Sequence, residues 1–184
     1  MNVINRCIYD IAKYWNECWW MIGLAVITIG VIAIGIRLYR KKRGMECLGM
    51  LPFCFRLFIW ICNSVYLTYS FYVTFGMRYI GMRREVNWIP FEGIWTRPWE
   101  IPLMIENVLL FVPFGVLLPI TFPQSRSWKV VLKSAALCSI LIEVLQYVFQ
   151  CGKTEVDDCI LNCLGAMLGY GVYVGVTSLM KLFK

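Results

Sequence analysis

The sequence predicts an all-α, polytopic membrane protein: a transmembrane helical bundle of about five spans. Three observations support this. Hydrophobic residues make up 60% of the 184 positions and charged ones only 16%, against roughly 45–50% and 25% in a soluble domain. The mean hydropathy is +0.66. Apolar stretches of about 20 residues, the length a helix needs to cross a bilayer, recur along the chain.

Those stretches cover residues 18–36, 57–75, 105–122, 130–149 and 159–180. The first is followed by the basic run 37–43, and charge after the apolar segment is the reverse of a cleaved signal peptide. The third contains Pro113 and Pro119. Neither can donate to the carbonyl four residues back, so neighbouring helices or polar side chains must satisfy those groups. The longest stretch between spans, residues 76–104, is rich in aromatic residues and proline. It is expected to fold on the outer membrane surface, because loops of this length are usually functional or disordered.

Orientation follows from Lys and Arg. With the N-terminus outside, Arg37, Arg40, Lys41, Lys42, Arg43, Arg56, Arg126, Lys129, Lys133, Lys181 and Lys184 lie inside. Arg6, Lys13, Arg78, Arg83, Arg84, Arg97 and Lys153 lie outside. The excess inside predicts N-out and C-in. The formal charge of +7 is then explained by topology, and no nucleic-acid partner is implied. Trp19, Trp20, Trp88, Trp95 and Trp99 anchor the outer interface in this arrangement.

The nine Cys show no C-x-x-C spacing and there is no His. No metal site or cofactor is expected. Cys151 and Cys159 both fall outside, where a bridge is geometrically open, although Cys is commonly just a small buried hydrophobe.

Polar side chains within spans are costly and tend to face the protein interior, where they often mark function. Here they gather toward the outer half. Asn107 lies near the outer end of the third span. Glu143 and Gln146 share a face of the fourth, three residues apart. Asp158, Asn162, Gly165 and Gly169 form a stripe on the fifth, polar above and small below, which lets a neighbour approach closely. Asp157 and Asp158 also suit a helix start, as N-cap and first-turn acids. Glu143 needs a partner or a proton at its depth. Arg84 is favoured over Lys153 as that partner, because Arg makes the better buried ion pair.

These residues resemble the VanZ-like family of bacterial envelope proteins, associated with glycopeptide resistance of the teicoplanin type. The resemblance lies in Arg84-x-x-Asn87-x-Ile89-Pro90-Phe91, then Asn107 through Phe111-x-Pro113-Phe114-Gly115. Ile142-Glu143-x-x-Gln146, Lys153, Glu155-x-Asp157-Asp158 and Asn162-x-x-Gly165 follow, with Gly169. It covers roughly residues 55–180. It implies a four-helix core, to which residues 1–50, an N-terminal transmembrane helix and basic cytoplasmic loop, are an addition. Residues 51–184 are then the family domain. Lys153 stands where the family commonly has Arg, and Glu155 where it has Asp. Lys lacks the planar fork that grips a carboxylate or phosphate bidentately.

The leading functional reading is a binding protein, not an enzyme. Arg84, Asn87, Asn107, Glu143, Gln146, Lys153, Asp157, Asp158 and Asn162 would form an outward-facing site for a lipid-linked cell-wall precursor, a lipoglycopeptide or a membrane partner. The alternative is an intramembrane enzyme acting on an outer-leaflet lipid or precursor, with Glu143 as acid or base and Asp157 and Asp158 holding a cation or the substrate.

Overall fold

The computed structural model describes residues 3–76, 81, 86–91 and 98–183. Five long helices account for most of them: α1 Val3–Lys42, α2 Met50–Phe71, α3 Ile101–Thr121, α4 Trp128–Phe149 and α5 Val156–Leu182. Four of these, with α2 extended by one π-turn to Gly76, are long and apolar enough to cross a membrane. The fourth helix, α4, is of similar length at 22 residues. Its outward positions Leu137, Ile140, Leu141, Val144 and Val148 are all exposed and apolar, while Ser139, Glu143 and Gln146 are buried. A polar inner face and a greasy outer one is the pattern of a helix that meets lipid on one side. The all-α membrane bundle is therefore the observed fold class.

Two compact units make up the chain: Lys13–Val73, and Met1–Ala12 together with Thr74–Lys184. In the first, α1 and α2 form an antiparallel hairpin. Trp15 meets Tyr69 at one end, with ring centroids 6.2 Å apart, and the Tyr72 hydroxyl donates to Glu17 at 2.9 Å. At the other end Arg37 donates to the carbonyl of Leu48 at 3.0 Å. The connecting turn is a Schellman motif. The Met45 N–H returns to Arg40 O at 3.0 Å and that of Gly44 to Lys41 O at 3.2 Å. Gly44 sits at φ 66°, a conformation that only glycine adopts freely. Arg40, Lys41 and Lys42 fill the last turn of α1, the favourable end of the dipole for cations.

α1 is much longer than the span read from sequence. Its 40 residues extend to about 60 Å, twice the hydrocarbon thickness, because residues 3–17 continue the helix ahead of the apolar stretch. Of these, the residues up to Ala12 belong to the second unit. The Cys7 thiol lies 3.7 Å from the carbonyl of Pro102, and Asp10 pairs with Arg6 at 3.7 Å.

In the second unit α5 packs along α3 and against α4. Phe111, Val131, Ala135 and Ala166 form the buried centre, flanked by Leu110, Phe114, Ile142 and Cys163. The α3–α5 contact is backbone on backbone. A Cβ at Gly165 would overlap the carbonyl of Val108, one at Gly169 that of Val112, and one at Gly115 that of Ala166. The small stripe on α5 is therefore a seam of close approach. Pro113 and Pro119 lie inside α3 without ending it, and Pro119 is fully buried. A two-stranded parallel ladder, β1 Val86–Asn87 with β2 Thr154–Glu155, closes one end. Nothing in the apolar periodicity announces so short a ladder. All nine cysteines are free, with Cys151 buried and Cys159 half-buried, so those two are not bridged.

Candidate functional site

The site lies where the C-terminal end of α4 meets the N-terminal ends of α3 and α5. The inner face of α4 carries Val131, Ala135, Ser139, Glu143 and Gln146. Spacings of four, four, four and three keep these on one stripe, apolar first and polar toward the helix end. Glu143 is 5% exposed, Gln146 2% and Ser139 0%. The matching stripe of α5 begins with Asp158 and Asn162.

Hydrogen bonds tie the stripes together. Asn107 Nδ2 of α3 donates to Asp158 Oδ1 at 2.6 Å. One turn further along α5, Asn162 Nδ2 donates to Ser139 Oγ of α4 at 2.8 Å. Glu143, a turn above Ser139, accepts the backbone N–H of Glu155 on Oε2 at 3.2 Å. Glu155 is the ladder partner of Asn87, and the Asn87 side chain accepts the N–H of Ile89 at 3.0 Å. Asp157 Oδ1 accepts the N–H of Phe91 at 2.8 Å. Phe91 has φ 60°, a left-handed conformation that costs a bulky residue energy and is commonly retained at functional sites.

Three acids thus hold three segments. Glu143 fixes β2, Asp157 fixes the turn after β1, and Asp158 fixes α3. Asp157 and Asp158 are neighbours in α5, and they reach different elements. Two acceptors stay open. Gln146 Oε1 and Asn162 Oδ1 are buried with no hydrogen-bond partner among the described residues.

The structure thus places Asn87, Asn107, Glu143, Asp157, Asp158 and Asn162 in separate contacts among β1, β2, α3, α4 and α5 in one unit, with Gln146 on the same face of α4. Lys153 is exposed beside the ladder. Arg84 and Trp95 lie outside the described residues, and so does the expected pairing of Arg84 with Glu143. Sequence reasoning passed over Ser139, a single small hydroxyl in an apolar run. Its spacing of four from Glu143 and seven from Gln146 was the available signal. It also passed over the Phe91 N–H, since no sequence pattern marks a backbone donor.

Apolar helices around a set of buried polar contacts, with a short ladder pinned over its open end, define a polytopic helical membrane protein with a polar site set inside the bundle. Residues 53–181 match the VanZ/LLP1 family, and the chain belongs to it. It is also 32% identical over 91 residues to Protein VanZ of Enterococcus faecium, a match covering 50% of this chain and 53% of that protein. The chain therefore aligns with about half the length of that relative. No solved structure matches.

Proposed function

We propose that this chain is a bacterial envelope protein that binds an outer-leaflet headgroup in the polar site between α3, α4 and α5. The carrying observation is the pair of open acceptors, Gln146 Oε1 and Asn162 Oδ1. A buried polar atom without a partner costs about 1–3 kcal/mol. A ligand hydroxyl, amide or ammonium removes that cost, and so the site favours donor-rich groups such as sugars or peptide amides. The headgroup of a lipid-linked cell-wall precursor or a lipoglycopeptide carries both. Lys153, exposed beside the ladder, would meet an anionic phosphate. Trp88, 74% exposed, offers a face for stacking.

Binding suits the acids better than catalysis does. Glu143, Asp157 and Asp158 each accept a hydrogen bond that fixes protein structure, so their geometry is that of positioning groups. The orientation that opens the site outward is N-out and C-in, with all five helices spanning. In this reading residues 51–184 are the family domain and residues 1–50 an addition to it, a reading supported by a family match over residues 53–181. A role in teicoplanin-type resistance is the reading that the likeness to Protein VanZ supports.

The test is teicoplanin susceptibility of a sensitive Gram-positive host expressing the chain. The wild type should raise the inhibitory concentration. Gln146→Met should return it to baseline, and Glu143→Gln, which keeps an acceptor for Glu155, should retain most of the rise. Loss with Glu143→Gln but not with Gln146→Met would favour the intramembrane acid–base enzyme. No rise with the wild type would remove the resistance role.

A further inference from the structure

The α1–α2 hairpin holds a second feature that shares no residue with the polar site. At its turn end the two helices leave a cavity of about 290 Å³. The lining divides in two. Arg37, Arg40 and Arg56 supply three guanidinium groups, and Phe53, Leu57 and Trp60 supply an apolar wall. Among the described residues no carboxylate lines it, and Glu46 is the one acid between residues 18 and 73. Arg37 is fixed in place. It donates to Leu48 O at 3.0 Å, and its guanidinium lies 4.5 Å over the Phe53 ring. Arg40 and Arg56 are exposed.

The two halves are ordered along the helix axes. Arg40 falls in the last turn of α1, beside the connecting turn. Trp60 lies one turn beyond Arg56 along α2, away from that turn. Phe53, in the first turn of α2, sits with the charges under Arg37, while Ala33, Ile36, Leu57 and Trp60 continue the lining away from the connecting turn, toward the hydrocarbon. Three cations facing one recess repel each other, and an anion relieves this. A free anion would use only the charged half. An amphiphile with an anionic head uses both, and basic pockets between helices are known lipid-headgroup sites.

We infer that the α1–α2 cavity is a binding site for an anionic phospholipid. The phosphate sits between the guanidinium groups of Arg40 and Arg56, with Arg37 behind it, and arginine's planar fork suits that contact. The first methylenes of an acyl chain run along Leu57, Trp60 and Ala33. The volume is near the lower limit of ordinary ligand pockets, which matches a headgroup and the start of a chain and leaves the rest in the bilayer. With the orientation proposed above, the lipid belongs to the inner leaflet.

The experiment is native mass spectrometry of the full chain in neutral detergent, titrated with phosphatidylglycerol or phosphatidylcholine. Phosphatidylglycerol should bind at lower concentration. Arg40→Gln with Arg56→Gln should weaken it about tenfold or more, while leaving phosphatidylcholine unchanged. Lys42→Gln with Arg43→Gln removes the same charge outside the lining and should change it by less than about twofold. Ala33→Phe, which fills the wall and keeps every charge, should also weaken it. Excess inorganic phosphate should leave the lipid bound. Equal binding of the two lipids, equal loss in both double variants, or displacement by phosphate would each overturn the inference. Circular dichroism on every variant separates lost binding from lost folding.

Discussion

Glu143 and Glu155 meet as acceptor and donor: Oε2 of the first takes the backbone N–H of the second at 3.2 Å. The side chain that sequence alone makes the best acid–base candidate therefore anchors the strand that pairs with Asn87. An amide oxygen can replace a carboxylate oxygen in that bond, but an alkyl group cannot. Glu143→Gln should cost less than about 1 kcal/mol, and Glu143→Leu, which orphans the N–H, about 1–3 kcal/mol. Unfolding in detergent measures both. Equal losses would mean the bond is not what holds β2.

The α3–α5 seam makes a sharp contrast among glycines. Gly115→Ala and Gly165→Ala drive a methyl into a facing carbonyl, and overpacking of that kind costs about 1–3 kcal/mol or more. Gly171→Ala and Gly175→Ala meet nothing within 4 Å and should be neutral or stabilising by up to about 1 kcal/mol, the helix-propensity gain. Thermal unfolding of the four variants checks the seam residue by residue.

Asn107 and Asp158 join α3 to α5 at 2.6 Å. A double-mutant cycle, Asn107→Leu with Asp158→Leu, should give a coupling of roughly 0.6–1.7 kcal/mol, the range of interhelical hydrogen bonds in membranes. A coupling near zero would remove this bond from the contacts that hold the site.

Orientation is testable through cysteine. Cys47 and Cys54 are the exposed thiols, and Cys47 lies in the turn between α1 and α2. With N-out and C-in, a membrane-impermeant maleimide should label Cys47 only after permeabilisation. Labelling of Cys47 in intact cells would reverse the orientation and turn the polar site inward.

The helices and the polar stripe were legible because both rest on periodicity. Glu143 and Gln146 at a spacing of three, and Asp158, Asn162, Gly165 and Gly169 at four, three and four, mark faces whatever the tertiary arrangement. The structure then places Gly165 and Gly169 against backbone, as small residues on one face imply. The ladder of Val86–Asn87 with Thr154–Glu155 was not legible: two-residue strands have no period. Nor was the reach of α1, since residues 3–17 are too mixed to read as a span and still continue the helix. The partners of the acids were hidden for a third reason. Two of them are main-chain N–H groups, of Phe91 and Glu155, and the main chain looks the same at every position.

In the proposed site, Gln146 Oε1 and Asn162 Oδ1 are the acceptors that a headgroup fills. The most direct measurement is an experimental structure of the full chain in nanodiscs of bacterial envelope lipid. A bound headgroup should place a hydroxyl or amide donor about 3 Å from Gln146 Oε1 or Asn162 Oδ1. If both oxygens instead take protein donors or ordered water, with every headgroup outside the bundle, the proposed binding is contradicted.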